Sequence, residues 1–518
     1  MTKRVLTLVV LSASYAFSTY CVGAERYHRY PMQEGDGKGR SCISVGGMLY
    51  YVSPPTVDFR LRRSLLDVYI PSTNRWIAGD TFSRWWIAAV VFDSPSCVEL
   101  IGENAFFACK NLRSICIPSS VICIENSAFQ DCTILGCLSF DQASKLTTIH
   151  SHAFDGCTSL TFVALPDSVE MLWTAAFSNC RSLTRITLGE NLQRVGNNAF
   201  YNCSNLESIA IPQGVTSIGE GAFQDCHNLE AVTFAAESRL QEIGPAAFSK
   251  SGLLTVEIPT NVQVIQENTF ADCSVLKNVT FAQNNRLTSV GDAAFLNCKA
   301  LRDIIPETVV AVQALAFQSC TVLDRVTFGS NSSLQLIGNF AFSECHSLQF
   351  IELPAPLTTI GLAAFRDSAL TSVTIPANVQ QIGMLAFENC SSLTSVVFAP
   401  GSQLTEIKLG TFKNCSKLKS VTIPESVTTI ASDAFEGCLA LSEITVPLTP
   451  PLFETLKAII GTHRMQKVTF DFMPAQIPGG TKVEPFLKNF FGTADFGCTA
   501  HFKDGSTYRF DGTNWRRR

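Results

Sequence analysis

The sequence predicts a solenoid: short β-strands and tight turns wound into about 15–16 coils of 22–25 residues, with a cap at either end. Three observations predict it. A Phe preceded by Ala or Thr recurs at Phe106, Phe129, Phe154, Phe177, Phe200, Phe223, Phe248, Phe270, Phe295, Phe317, Phe342, Phe365, Phe387, Phe412 and Phe435, in steps of 22, 23 or 25 residues. Thirteen of these fifteen units carry Cys three places after the Phe. Ahead of the Phe, each unit reads L-x-x-[VI]-x-[IF], often then Pro, then V-x-x-I-G-x-x-A-F. Self-similarity at a period of this length marks a stack of repeats, because one coil cannot cover its own apolar face and must bury it on the next. Phe82, in Gly-Asp-Thr-Phe, is a degenerate sixteenth member.

Residues 1–24 read as an export signal. Lys3 and Arg4 precede the apolar stretch Val5–Phe17, and Val22-Gly23-Ala24 offers small residues for cleavage before Glu25. Serines at 12, 14 and 18 break that stretch, which is too short for a membrane span. The longest later apolar run, Trp85–Phe92, is shorter still, so the mature chain carries no expected transmembrane segment. Residues 25–64 form an N-terminal cap, with a Gly-rich stretch over 34–40 and a strand in Gly46–Val52.

The coils occupy 65–447. In Leu418–Cys438 the alternation of apolar and polar residues marks a half-buried strand with Val421 and Ile423 inward. Pro424, which has no N–H for a ladder, ends it. One short helical or 3₁₀ turn would then set Phe435 and Cys438 on the same inner face. Five longer coils replace Ile-Pro by Phe and an insertion, at 140–146, 234–240, 281–287, 328–334 and 398–404, expected as protruding turns along one edge. Residues 448–518 make a β-rich C-terminal cap, in which Asp504-Gly505 and Asp511-Gly512 signal hairpin turns.

The repeat resembles the BspA-type leucine-rich repeats, also called the Treponema pallidum type, from about Leu65 to Pro447. The resemblance implies a leucine-rich-repeat solenoid with its strands on a concave side. It also implies secreted or surface proteins that adhere to host cells or matrix, and no catalytic residues.

The recurring cysteines are Cys109, Cys132, Cys157, Cys180, Cys203, Cys226, Cys273, Cys298, Cys320, Cys345, Cys390, Cys415 and Cys438. Ser251 and Ser368 stand in the two remaining units, which favours a small buried slot over a bond that needs sulfur. A buried thiol behaves as a small apolar group with a weak donor, and here its S–H would reach a carbonyl in the turn. Export implies an oxidising compartment, in which disulfides can form. Stacked side chains point the same way, and each Cys would have two equivalent neighbours. An unbridged packing ladder is the expectation. Outside it stand Cys42, Cys97, Cys116, Cys123, Cys137 and Cys498, whose pairing sequence does not determine. Cys116 and Cys137, on outward strand positions, are the better candidates.

Chemistry finds little footing. One Cys per coil does not converge as zinc ligands must, and His150 and His152, the only close histidine pair, are expected in an outward turn. Adjacent Cys226-His227 and Cys345-His346 should point apart. There is no Gly-x-Ser-x-Gly, no His-Glu-x-x-His and no phosphate-binding loop. No catalytic residue, cofactor or metal is therefore expected. A net charge of −5 gives no footprint for nucleic acid.

The outward strand positions carry the binding expectation. Thr187, Ser208, Ala210, Thr233, Glu257, Thr280, Thr327, Glu352, Thr374 and Thr422 form a row able to hydrogen-bond a protein or a glycan. High β-propensity on an exposed sheet accounts for the same threonines without a ligand. Phe162 and Phe350 stand isolated among them. Sequons fall at Asn202, Asn278, Asn331, Asn389 and Asn414. The chain is thus expected to be an exported, secreted or cell-surface, non-enzymatic protein that binds a host or surface protein. A passive envelope spacer is the second reading, and an activity within the C-terminal cap the third.

Overall fold

The computed structural model describes residues 41–45, 48–52, 56–58 and 63–518, apart from 303–305, 330, 448–451, 454, 457–458, 460–464, 478–481, 492–497 and 512. The expected export signal and residues 25–40 of the expected N-terminal cap lie outside these. The chain divides into two compact units, Met1–Leu253 and Leu254–Arg518. Both are built from parallel-strand coils.

In the first unit, Ser41–Val45, Met48–Val52 and Arg63–Ile70 pair antiparallel in order, Thr56–Asp58 lies antiparallel on Arg63–Ile70, and Ile87–Phe92 joins the latter parallel. The coils follow. Ser114–Ile117, Cys137–Phe140, Phe162–Ala164, Arg185–Thr187, Ser208–Ile211 and Ala231–Phe234 form one parallel ladder. A second parallel ladder runs along each coil's Ile-Gly segment, through two-residue strands from Trp76–Ile77 to Glu242–Ile243. Each of these short strands turns one apolar residue inward, such as Ile124, Ile149 and Val195, all fully buried.

The Ala-Phe-x-x-Cys segment does not form the expected helical or 3₁₀ turn. It is a run of overlapping β-turns in which alternate amides serve different partners. Ala105, Phe107 and Cys109 donate back to the carbonyls of Gly102, Asn104 and Phe106, while Asn104, Phe106 and Ala108 donate to Asn126, Ala128 and Gln130 of the next coil at 2.7–2.9 Å. The alternation needs left-handed backbone at Asn104 and Ala108, with φ of 54° and 53°, which ends any helical run. The same pair of positive-φ positions recurs coil after coil, as at Asn198 and Asn202. A third side of every coil is thereby hydrogen-bonded to its neighbour.

Inside, the recurring Phe rings stack face to face. Phe82 through Phe248 lie 5.1–5.8 Å apart between centroids, most with planes within about 10° of parallel. Each is fully buried and contributes about 1.5–3 kcal/mol by leaving water.

The second unit repeats this build. Thr255–Ile258 pairs with Asn278–Phe281, and Arg325–Val326 with Phe350–Ile351. A longer parallel ladder runs through Ser372–Ile375, Ser395–Phe398, Ser420–Thr422, Glu443–Val446, Lys467–Phe470 and Thr499–Phe502. Two antiparallel strands, Thr507–Phe510 and Trp515–Arg517, close it. Their turns are held by Asp504, which accepts from Ser506, and Asp511, which accepts from Thr513 and Asn514. Under these strands the helix Val483–Phe491 buries Phe486, Leu487, Phe490 and Phe491. Phe486 and Phe490 meet Phe470 edge to face, Phe470 stacks on Phe502, and Phe491 lies tilted against Trp515. Aromatic mass here covers what a further coil would otherwise cover.

Candidate functional site

Two features built from the repeat could carry function: the outward strand face and the inner row of thiols. The thiols come first because their geometry decides whether they are chemistry. In the first unit the Sγ of Cys109, Cys132, Cys157, Cys180, Cys203 and Cys226 each donate to the carbonyl of the preceding coil's Phe, Phe82 through Phe200, at 3.1–3.3 Å. In the second unit Cys298, Cys320, Cys345, Cys390, Cys415 and Cys438 do the same onto Phe270, Phe295, Phe317, Phe365, Phe387 and Phe412. Cys273, like these, is fully buried. At Ser368 the hydroxyl lies 3.2 Å from Cys390 Sγ and fills the same slot.

Burial pushes these thiols up, to about 12 at Cys132, Cys345, Cys390 and Cys438. A thiol this far above neutrality is neither a nucleophile nor a ready metal ligand. The recurring cysteines are free in the structure. Among the described residues no group of three or more His, Cys, Asp or Glu side chains is placed to hold a metal.

Beside the thiols runs a polar counterpart. Asn179 Nδ2 donates to Asp155 and Asn202 Nδ2 to Asn179, each at 2.9 Å, and Asn414 donates to Asn389, which donates to Asp367. Three sequons, at Asn202, Asn389 and Asn414, thus have their amides committed to inter-coil bonds. Asn278 and Asn331 are exposed.

Among the described residues the cysteines outside the ladder do not pair. Cys97, Cys116 and Cys137 are exposed, Cys123 is half-buried and Cys498 is buried, all free. Cys42 lies where only the backbone is described. The better candidates, Cys116 and Cys137, are not bridged to each other, and strand register explains why. Cys116 stands opposite Ser139, and Cys137 opposite Ser114. The two are diagonal neighbours, a Cα separation of roughly 7–8 Å, beyond the roughly 6.8 Å a disulfide spans. Cys116 Sγ lies 3.2 Å from Asp141 Oδ1 instead.

The histidines are likewise dispersed. His150 stacks on Trp173 at 5.6 Å, and His152 Nδ1 lies 3.1 Å from Asp155 Oδ2. His227 and His346 turn away from their neighbouring Cys, each placing Nδ1 near a carbonyl of the next coil, Lys250 and Asp367.

The outward strand face forms one parallel ladder in the first unit, and among the described residues of the second it is divided among three sheets. In the first, Thr187, Ser208, Ala210 and Thr233 are all exposed, with Ala210 in register with Thr233 and Ser208 between Arg185 and Ala231. In the second, Glu257, Thr280, Thr327, Glu352, Thr374 and Thr422 are exposed, with Glu257 opposite Thr280, Thr374 opposite Val397 and Thr422 opposite Thr445. The alternating residues, such as Val232, Val279 and Val421, are buried.

Reading the chain linearly misses how the two exposed aromatic residues are framed. Arg325 lies over the Phe350 ring at 4.9 Å, and Phe162, 49% exposed, sits in register between Cys137 and Arg185. The signal was available, since Arg325 and Phe350 are one 25-residue step apart. Among the described residues no helix is long and apolar enough to cross a membrane.

A family model described as BspA type leucine rich repeat region matches the chain in six overlapping copies, over 58–143, 77–206, 137–253, 193–324, 241–368 and 335–451. Solved structures similar to the chain include a leucine-rich repeat protein from Bacteroides ovatus, 23% identical over 80% of this chain and 98% of that one, with a TM-score of 0.49. A leucine rich cell surface protein from Faecalibacterium prausnitzii is 20% identical over 85% of this chain and 97% of its own, with a TM-score of 0.33. The leucine rich repeat protein of T. pallidum is 22% identical over 48% and 87%, with a TM-score of 0.25. No curated protein sequence matches the chain.

Proposed function

The chain belongs to the BspA-type leucine-rich repeats, and on that premise we propose that it is an exported, non-enzymatic binding protein whose outward strand face engages a protein on a host or cell surface. One observation carries the reading. Polar side chains, mostly Thr and Ser, recur at the exposed position of the rungs, on a backbone that strand ladders and turn bonds tie from coil to coil. Such a surface is preorganised, so little ordering entropy opposes binding. It also lacks the clustered Trp, Tyr and Arg that concentrate binding energy. Each coil therefore contributes weakly, and affinity grows with the number of coils engaged. Residues 1–24 supply the export signal, and the secreted or surface setting follows the family's usual one.

Capture from surface-labelled candidate host cells by the chain from Glu25 onward tests the reading. Replacing Thr280, Thr374 and Thr422 with Lys should abolish capture while the melting temperature holds, because exposed strand positions away from any packing contact cost little stability. A chain that captures no surface protein is the spacer of the second reading instead, and capture that ignores all three substitutions overturns the role given to the strand face.

A further inference from the structure

The closing strands of the C-terminal cap present a line of cations, one of which, Arg509, meets no carboxylate among the described residues. Across four strands, Lys467, Thr499, Arg509 and Arg516 stand in one register line on the outward face. Beside them Thr469, His501 and Thr507 form a second line, with His501 Nε2 3.0 Å from Thr499 Oγ1 and Thr507 Oγ1 3.2 Å from His501 Nδ1. Strand spacing puts the three cations within a span of roughly 14 Å. Arg509 and Arg516 are exposed and directly opposed, an arrangement that weakens a sheet unless an anion bridges it.

Among the described residues the acidic groups nearby reach two of the three cations and leave Arg509 without a carboxylate. Glu443 Oε2 lies 3.9 Å from Lys467 Nζ, and Asp511 Oδ2 pairs with Arg516 Nε at 2.5 Å. Among the described residues no carboxylate pairs with Arg509. Guarding an edge strand against self-pairing accounts for charge on Trp515–Arg517. It does not account for Arg509, which lies on an interior strand.

We infer that this face binds a sulfated polysaccharide. Arginine presents a planar fork that matches a tetrahedral oxyanion in bidentate fashion, and the threonine hydroxyls and imidazole beside it suit sugar hydroxyls. Two other polyanions fit less well. Phe470, Phe502, Tyr508 and Trp515 are buried on the opposite face and the half-buried Phe510 alternates with Arg509, so no Phe, Tyr or Trp ring is offered for base stacking. Nor does any apolar side chain on this face enter a bilayer. The inference uses no residue of the coil rows proposed above to bind protein, so either can fail without the other.

Retention of the full chain on immobilised heparin, eluted with salt, tests it, with unsulfated hyaluronan, phosphatidylserine vesicles and single-stranded poly-uridylate as comparators. Heparin should bind at about 0.15 M salt and release as screening rises. Replacing Arg509 and Arg516 together with Ala should weaken binding about tenfold, as the loss of two exposed ion pairs implies. The corresponding double Lys variant, which keeps charge and fold, should weaken it by a smaller factor. No retention of the wild-type chain, retention unchanged in the Ala variant, or equal binding to any comparator overturns the inference.

Discussion

Replacing Gly383 with Ala tests whether the coils close upon glycine. A Cβ there would meet Gly361 C and Leu362 N at 2.4 Å and Gly361 O at 2.5 Å, all main-chain atoms. None of these can rotate aside. The coil must lift from its neighbour and lengthen the 2.8 Å bond from Gly383 N–H to the Ile360 carbonyl. Overpacking of this kind costs about 1–3 kcal/mol, and a lost main-chain bond about 1 kcal/mol. The stiffer unfolded chain returns at most about 1 kcal/mol. The net expectation is a loss of about 2 kcal/mol. The same substitution at Gly136, whose nearest atoms lie 3.6 and 4.0 Å away, should be neutral or mildly stabilising. Lys408 occupies the place equivalent to Gly383 one coil later. There Gln381–Ile382 and Glu406–Ile407 fall in separate sheets, and a cleft lined by Gln380, Gln403, Thr405 and Lys408 opens between them. Glu125 and Gln313 also bear side chains at this place yet keep their bonds to Ile101 and Val290 at 2.9 Å. The prediction therefore rests on the close approach at Gly383, not on the motif. Urea unfolding together with hydrogen exchange of the Gly383 amide reads it. If Gly383→Ala matches Gly136→Ala in both, the coils are not held at contact and the reasoning fails.

The remaining predictions concern the inner rows. Iodoacetamide at pH 8 should modify Cys97 and Cys137 quickly and Cys116 and Cys123, whose thiols partial burial pushes up, more slowly in the native chain, and the ladder thiols only after denaturation, as peptide mapping by mass spectrometry would show. Raising pH should unfold the reduced chain steeply. Cys132, Cys345, Cys390 and Cys438 sit near 12 when folded against a usual 9.0, so above pH 9 the unfolded state loses protons that the folded state keeps. Stability is full below that pH and falls as pH climbs toward 12, by about 5 kcal/mol per unit for the four together. A circular-dichroism titration that stays flat to pH 11 contradicts this. Phe223→Ala removes a fully buried ring stacked on Phe200 and Phe248 at 5.3 and 5.2 Å. It should cost about 3–5 kcal/mol in chemical denaturation.

Much of the coil was legible because its signal is positional. Phe and Cys recur at fixed offsets, and side chains that must meet their own copies in the next coil cannot drift in register. The strands were legible for the same reason, since Val421 and Ile423 alternate with exposed residues. The second ladder at the Ile-Gly segment was harder to foresee, because a two-residue strand has no period to read. Its trace was the glycine, as at Gly361 and Gly383, kept where a side chain would strike the coil behind. The turn was misread for a reason the spacing conceals: Phe and Cys three apart suit a 3₁₀ turn, but the left-handed residues on either side of the Phe do not. Cys116 and Cys137 looked pairable because both face outward. Register, which sets them on a diagonal, is absent from the linear string.

The three-sided bonding of each coil also has a mechanical consequence. Every inter-coil hydrogen bond points from one coil toward the next, along the direction of stacking, so a tension that peels a terminal coil away loads its bonds a few at a time instead of all together. Each unit should therefore pay out its chain coil by coil at modest, nearly constant force, with every released coil adding 22–25 residues of slack. A tether that yields in steps dissipates load before the contact at its far end must bear it.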